Sequence, residues 1–333
     1  MKTTGLASLT ASSLAVILLA SSLVAGNDSS SSSGESRVDL SILKNPVWSA
    51  EKYHLRDPSV LKTKEGYLVF YSLRNDPWGE KNSWSVASAF TKDFVHFEND
   101  HDISAKGFAS PGDVIFWHGR YILPYQNYPT SPARLYFSES TDLKTWSEPK
   151  RFLEAANKLP WNTQGRVIDP TFVVDGDTLH CFFVGSAKRN VPGGKANLIG
   201  HATTKDPNLR EWKILTTEKP MIEDSDRVPD GAENMMVFKT GDHWTMIYSE
   251  GLMDQHLAIA TSGNLIDWKL EGPIDIGKQG WLSVKYGAPF VWRDGDRWLM
   301  ILMGEDAKRK TTFGLLSSPD GKNWTLLPEK QTL

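Results

Sequence analysis

The chain has one cysteine, Cys181, in 333 residues, which excludes an intrachain disulfide and any zinc or iron–sulfur site built on several thiolates. It also lacks an excess of either charge, since 37 Lys and Arg stand against 40 Asp and Glu. A nucleic acid or an anionic membrane surface therefore meets no general electrostatic attraction. The apolar run at 14–19, resuming at 23–25, is too short and interrupted to span a bilayer. With 40% hydrophobic and 23% charged residues, the chain can still bury a full globular core.

The N-terminus reads as an export signal. Residues 1–26 carry Lys2, the apolar run and a small-residue exit at Val24-Ala25-Gly26, the pattern of a signal peptide. No cysteine follows it to take a lipid anchor, so the expected location is secreted or periplasmic. The serine tract after it makes 27–42 a flexible linker. The expected folded domain is 43–333.

Thirteen Trp, nine Tyr and 14 Phe beside 26 Gly suggest short aromatic strands separated by turns, as in carbohydrate-handling all-β proteins. A two-part phrase then repeats five times. Its first part, an apolar strand, a Gly-centred turn and an aromatic-rich strand, occurs at 58–71, 113–125, 170–183, 234–248 and 289–302. Its second part, an alternating strand, a polar turn and an aromatic, occurs at 86–97, 136–146, 199–212, 257–268 and 313–324. Four strands in each of five units predict an all-β fold, a single five-bladed β-propeller. The closing aromatics Phe97, Trp146, Trp212, Trp268 and Trp324 recur with the fold, so they are expected to pack it together.

Chemistry is sought where the units differ. Aligning the hairpins on their glycine turns puts Asp57, Pro111, Asp169, Glu233 and Ala288 at the head of each innermost strand, where they ring one channel mouth. Packing gains nothing from three acids there, and like charges raise one another's pKa. Blades three and four are neighbours, so the charge of Asp169 is expected to keep a proton on Glu233, the general acid. Asp57 lies across the channel with room for a water, as general base. That is the arrangement of inverting glycoside hydrolysis.

At these residues the chain resembles glycoside hydrolase family 43 and its five-bladed relatives, families 32 and 117 among them, over essentially the whole folded region. Asp57 in Arg-Asp-Pro-Ser-Val, Asp169 in Val-Ile-Asp-Pro-Thr-Phe and Glu233 in Asp-Gly-Ala-Glu-Asn-Met match the first-blade base, the third-blade pKa-tuning Asp and the fourth-blade acid. Residues 109–114 (Ala-Ser-Pro-Gly-Asp-Val) resemble a second-blade phrase of the family. Asn234-Met235 replaces the usual Gly-Pro after the Glu and Phe108 replaces a Trp, which weakens any transfer of arabinose or xylose specificity. Family 32, a retaining fructosidase family, has Asn-Asp-Pro-Asn, Arg-Asp-Pro and Glu-Cys where this chain has Arg-Asp-Pro, Ile-Asp-Pro and Glu-Asn. Ala232 stands where family 117 places its catalytic His.

The resemblance implies an oligo- or polysaccharide substrate, held by loops at the channel mouth because the chain stops just after the fifth closing strand. Arg56, Gln126, Arg166, His256 and Lys285 are the substrate-binding candidates, with His54, Tyr125, Glu250 and Tyr286 beside them. If Arg56, Arg166 and Lys285 converge, they suit a carboxylated or sulfated sugar. No metal motif is visible and no cofactor is expected. The resemblance allows a channel calcium near His256. A non-catalytic sugar-binding propeller and a phosphorolytic enzyme, which would need basic groups opposite the acid, are the alternatives.

Overall fold

The computed structural model describes residues 37–191, 194–222 and 228–330; the expected signal peptide and the linker up to residue 36 lie outside the described residues. Five antiparallel sheets follow in chain order, and no α-helix occurs among the described residues. Blade one is β1 (His54–Lys62), β2 (Tyr67–Arg74), β3 (Trp84–Thr91) and β4 (Phe97–Asp102). Blade two has an innermost strand in two pieces, β5 (Phe108–Ala109) and β6 (Ile115–Trp117), both on β7 (Arg120–Asn127), followed by β8 (Leu135–Ser140) and β9 (Lys150–Arg151). Blade three is β10 (Ile168–Asp175), β11 (Thr178–Lys188), β12 (Lys195–Thr204) and β13 (Lys213–Ile214). Blade four is β14 (Ala232–Thr240), β15 (His243–Glu250), β16 (His256–Ser262) and β17 (Trp268–Pro273). Blade five is β18 (Lys285–Asp294), β19 (Arg297–Glu305), β20 (Thr311–Ser318) and β21 (Thr325–Leu326). The fold is the five-bladed β-propeller.

Both faces of a blade pack against neighbours, so middle strands such as β11 and β19 are buried almost end to end instead of alternating. The closing phrase has a recurring cause. A Ser or Thr hydroxyl accepts the backbone N–H two residues on (Thr91, Ser140, Ser262, Ser318) and at Thr91, Ser140 and Ser318 also the one three residues on, and the Asp or Asn two residues after it accepts the next pair. These bonds hold Phe94, Leu143, Leu265 and Gly321 at positive φ. The closing indoles then pack between units: Trp146 lies edge-on to Phe70 of blade one, Trp268 edge-on to Phe182 of blade three, and Phe97 stacks on Trp48 at 4.2 Å. None of the five lines the channel cavity described below.

The folded unit begins earlier than expected. Residues 37–42, assigned above to the linker, pack on blade five: Val38 is buried, its N–H faces Asp294 Oδ1 at 3.4 Å, and its carbonyl accepts from Arg297. A burst of serines marks a linker, but a single apolar residue after it is enough to anchor the chain. The ring then closes through Asn45, which is fully buried. Its Nδ2 donates to the carbonyls of Leu315 (3.0 Å) and Leu327 (3.3 Å), and its Oδ1 accepts the N–H of Leu315 (2.8 Å). Asn45→Ala strands those three backbone groups, and we expect a loss of about 3 kcal/mol of unfolding free energy, read as a lower denaturant midpoint at unchanged slope. An unchanged midpoint would show that the N-terminal segment does not latch the propeller.

Candidate active site

The innermost strands β1, β10, β14 and β18 each carry a bulge at the same height, after Arg56, Ile168, Glu233 and Gly287. Blade two breaks between β5 and β6 at that point. The first bulge residue is left-handed in every blade: Asp57 (φ 50), Ser110 (φ 50), Asp169 (φ 50), Asn234 (φ 48) and Ala288 (φ 50). Asp and Asn tolerate this region, whereas Ser and Ala adopt it at a cost of about 1–2 kcal/mol. These five residues and those that follow them line a channel cavity of about 40 Å³, large enough for ordered water.

The expected ring is therefore right in blades one, three and five and one residue late or early in the others. Ser110, not Pro111, is the blade-two member. Asn234, not Glu233, is the blade-four member, and Glu233 stands one position earlier, level with Arg56 and Gly287. A bulge has two residues facing one, so both positions are available at the channel mouth.

Each acid has its own holder. Asp57 Oδ2 accepts from the hydroxyls of Ser72 (2.7 Å) and Ser110 (3.2 Å). Ser110 also bonds the carboxyl of Asp169, so one blade-two hydroxyl spans the acids of blades one and three. The Asp169 N–H donates to Gln126 Oε1 at 2.5 Å, which fixes the left-handed turn. Glu233 receives Asn197 Nδ2 on Oε2 and Gln255 Nε2 on Oε1, the latter at 2.8 Å. Gln255 fits there because residue 287 is glycine: a Cβ would stand 2.5 Å from Gln255 Oε1 and 2.6 Å from Ser249 Oγ.

Asp169, the residue expected to keep a proton on Glu233, itself carries a raised carboxyl. Asp169 is the buried member, and burial, then the charges of Glu233 and Asp57, push it upward against Arg166 and the Ser110 bond. A carboxyl raised on folding binds its proton more tightly in the native state, so its contribution to stability is present at low pH and lost as pH rises through the raised value. Asp169→Asn has no proton to lose. We expect the wild-type Tm to fall between about pH 5 and pH 8 and the variant's to fall less; parallel curves would show that Asp169 carries no such proton.

Four other candidates resolve into different roles. Gln126 is buried and serves Asp169, so it is not an open sugar contact. His256 pairs with buried Glu250 at 3.3 Å, and that hydrogen bond raises its pKa. Lys285 lies 3.9 Å from Glu305. Tyr125 is a core residue bonded to Ser138. Arg56 and Arg166 both act electrostatically on Tyr128, a half-buried phenol that also feels Asp57 and Glu233. Lys195 lies in the field of Arg166, Glu233 and Asp169, and Lys285 in that of Arg56 and Glu233. Among the described residues no cluster of three or more His, Cys, Asp or Glu is placed to hold a metal.

Ser72, Ser110, Asn197 and Gln255 went unnoticed in the sequence. Their signal was a polar residue inside or at the head of an apolar strand, which is common. A second cavity of about 350 Å³ lies beside β1, lined by His54, Arg56, Arg74, Asp76, Trp78, Glu305, Lys308, Arg309 and Thr311.

A family model, glycosyl hydrolases family 32 N-terminal domain, matches residues 101–284, more than half of the chain, including Asp169 and Glu233 but not Asp57. No curated protein matches the sequence. Solved structures share the fold at low identity. One described as a complex of BT0996 with RGII has a TM-score of 0.68 at 14% identity, covering 86% of this chain and 94% of that one. The α-L-arabinofuranosidase of Lactobacillus brevis has 0.64 at 14%, covering 89% and 100%. A thermostable family-43 glycoside hydrolase has 0.63 at 15%, covering 87% and 97%.

Proposed function

Since the chain belongs to the glycosyl hydrolases family 32 N-terminal domain family, we propose that it is an exported enzyme that cleaves the glycosidic bonds of an oligo- or polysaccharide with inversion. The observation that supports this reading is that Asp57 and Asp169, from blades one and three, line one channel cavity and that the charges of Asp57 and of Glu233, from blade four, both act on Asp169. Asp57, oriented by Ser72 and Ser110, takes a proton from water as its oxygen bonds the anomeric carbon. The bond from that carbon to the glycosidic oxygen breaks, and Glu233 delivers a proton to the departing oxygen. Asp169 positions the pair through Ser110 and through its charge coupling to Glu233.

The match to a family-32 model favours a second reading, in which Asp57 attacks as a nucleophile and configuration is retained. The purified protein incubated with arabinofuranosides, xylosides, galactosides and sulfated oligosaccharides tests the common ground. Release of reducing sugar that vanishes with Asp57→Asn supports both versions; sugar binding without release supports a non-catalytic propeller instead.

A further inference from the structure

The second cavity begins one residue from Asp57 and its charges do not cancel. Arg74 pairs with Asp76 at 3.3 Å, and Arg309 with Glu305 at 2.7 Å. Those two acids are the carboxylates of the lining, and both are engaged. Arg56 and Lys308 line the same space with no hydrogen bond or ion pair to their side chains among the described residues. His54 adds no charge near neutral pH, because burial and the nearby Arg74 hold its pKa down.

Arg56 is also held ready. Its guanidinium lies 5.2 Å from the centroid of the Trp78 ring, and that of Arg74 lies 4.9 Å from the same ring. Cations on an aromatic face keep their orientation while their N–H edges stay open to a ligand. Two guanidinium groups on one indole repel each other unless an anion lies between or above them. A space of this size takes a sugar ring, and its polar lining suits one with charge. The catalytic acids do not claim this surplus, since Arg166 and Lys195 already stand beside Asp169 and Glu233.

Resting on the glycosidase reading for what enters the channel, we propose that the substrate glycan carries an oxyanion, a carboxylate or a sulfate ester, on the sugar seated in this cavity, and that Arg56 receives it. A planar guanidinium binds either group through two parallel N–H bonds. Inorganic phosphate as co-substrate is the rival occupant, and it is an outcome of the test.

The test measures binding apart from turnover. An immobilised panel of uronate-bearing, sulfate-bearing and neutral oligosaccharides of equal length is probed with the full chain, Arg56→Gln and Lys308→Gln, each checked by its thermal melt. We expect an anionic glycan to bind at least about tenfold more tightly than its neutral counterpart, and to weaken as NaCl rises from about 50 to 500 mM. Arg56→Gln should lose about tenfold in that affinity and Lys308→Gln about two- to threefold, with neutral binding unchanged. The uronate and sulfate arms tell which oxyanion it is. Neutral glycans bound as well as anionic ones, no anionic glycan bound, or turnover that depends on inorganic phosphate would each overturn the proposal. Sugar release is scored on the same panel. Anionic glycans bound but never cleaved would leave the cavity assignment standing and remove the glycosidase reading, whereas neutral glycans cleaved equally well by Arg56→Gln would do the reverse.

Discussion

Asp57→Asn is expected to lower kcat by about 10³–10⁴-fold on every substrate, whatever its leaving group. The reason is geometric. Asp57 is the ring acid whose Oδ2 is held by two hydroxyls, from Ser72 and Ser110, and the other ring positions in blades two, four and five are Ser110, Asn234 and Ala288, none of which can take a proton from water at neutral pH. Asn is the better replacement than Ala, since residue 57 is left-handed at φ 50 and Asn tolerates that region. A variant that kept more than about a tenth of wild-type kcat would remove Asp57 from the chemistry.

Glu233→Ala is expected to separate substrates by leaving group. On an ordinary alkyl glycoside, loss of the proton donor should cost about 10²–10⁴-fold in kcat, while a dinitrophenyl glycoside, whose leaving group departs unprotonated, should lose no more than about tenfold. Gly287→Ala gives the same pattern more weakly without touching an acid, because the added Cβ meets Gln255, the amide that orients Glu233. Equal losses on both substrates would mean that Glu233 binds sugar and does not protonate it.

The fold was legible because repetition multiplies weak signals. One Gly-centred hairpin is commonplace, but five in a fixed order with a closing aromatic define blades, and the hydroxyl-plus-Asp turns explain why those aromatics recur. The ring of acids was legible to within one residue. Counted back from the turn glycines, the true ring positions lie 9, 9, 7, 7 and 7 residues away, always an odd number. Alternation along a strand demands that constancy, and Pro111 and Glu233, each 8 residues away, break it. The bulge itself left no mark in sequence beyond the prolines after Asp57, Ser110, Asp169 and Ala288.

What sequence could not supply was which blade-to-blade contacts the acids make. Asn197 in β12 and Gln255 beside β16 reach Glu233 from different blades or strands, and Gln126 in β7 reaches Asp169. Their polarity inside apolar runs is compatible with an ordinary buried amide. The burial that raises the carboxyl of Asp169 is likewise a property of three-dimensional packing.

For the proposed mechanism to hold, Asp57 must activate a water and not attack the sugar itself. Proton NMR of the first-formed sugar, recorded before mutarotation, reads this directly. Inversion of the anomeric configuration is the predicted result, as a water between Asp57 and the anomeric carbon requires; retention would make Asp57 the nucleophile, place its carboxyl only about 5–5.5 Å from that of Glu233, and contradict the mechanism proposed here.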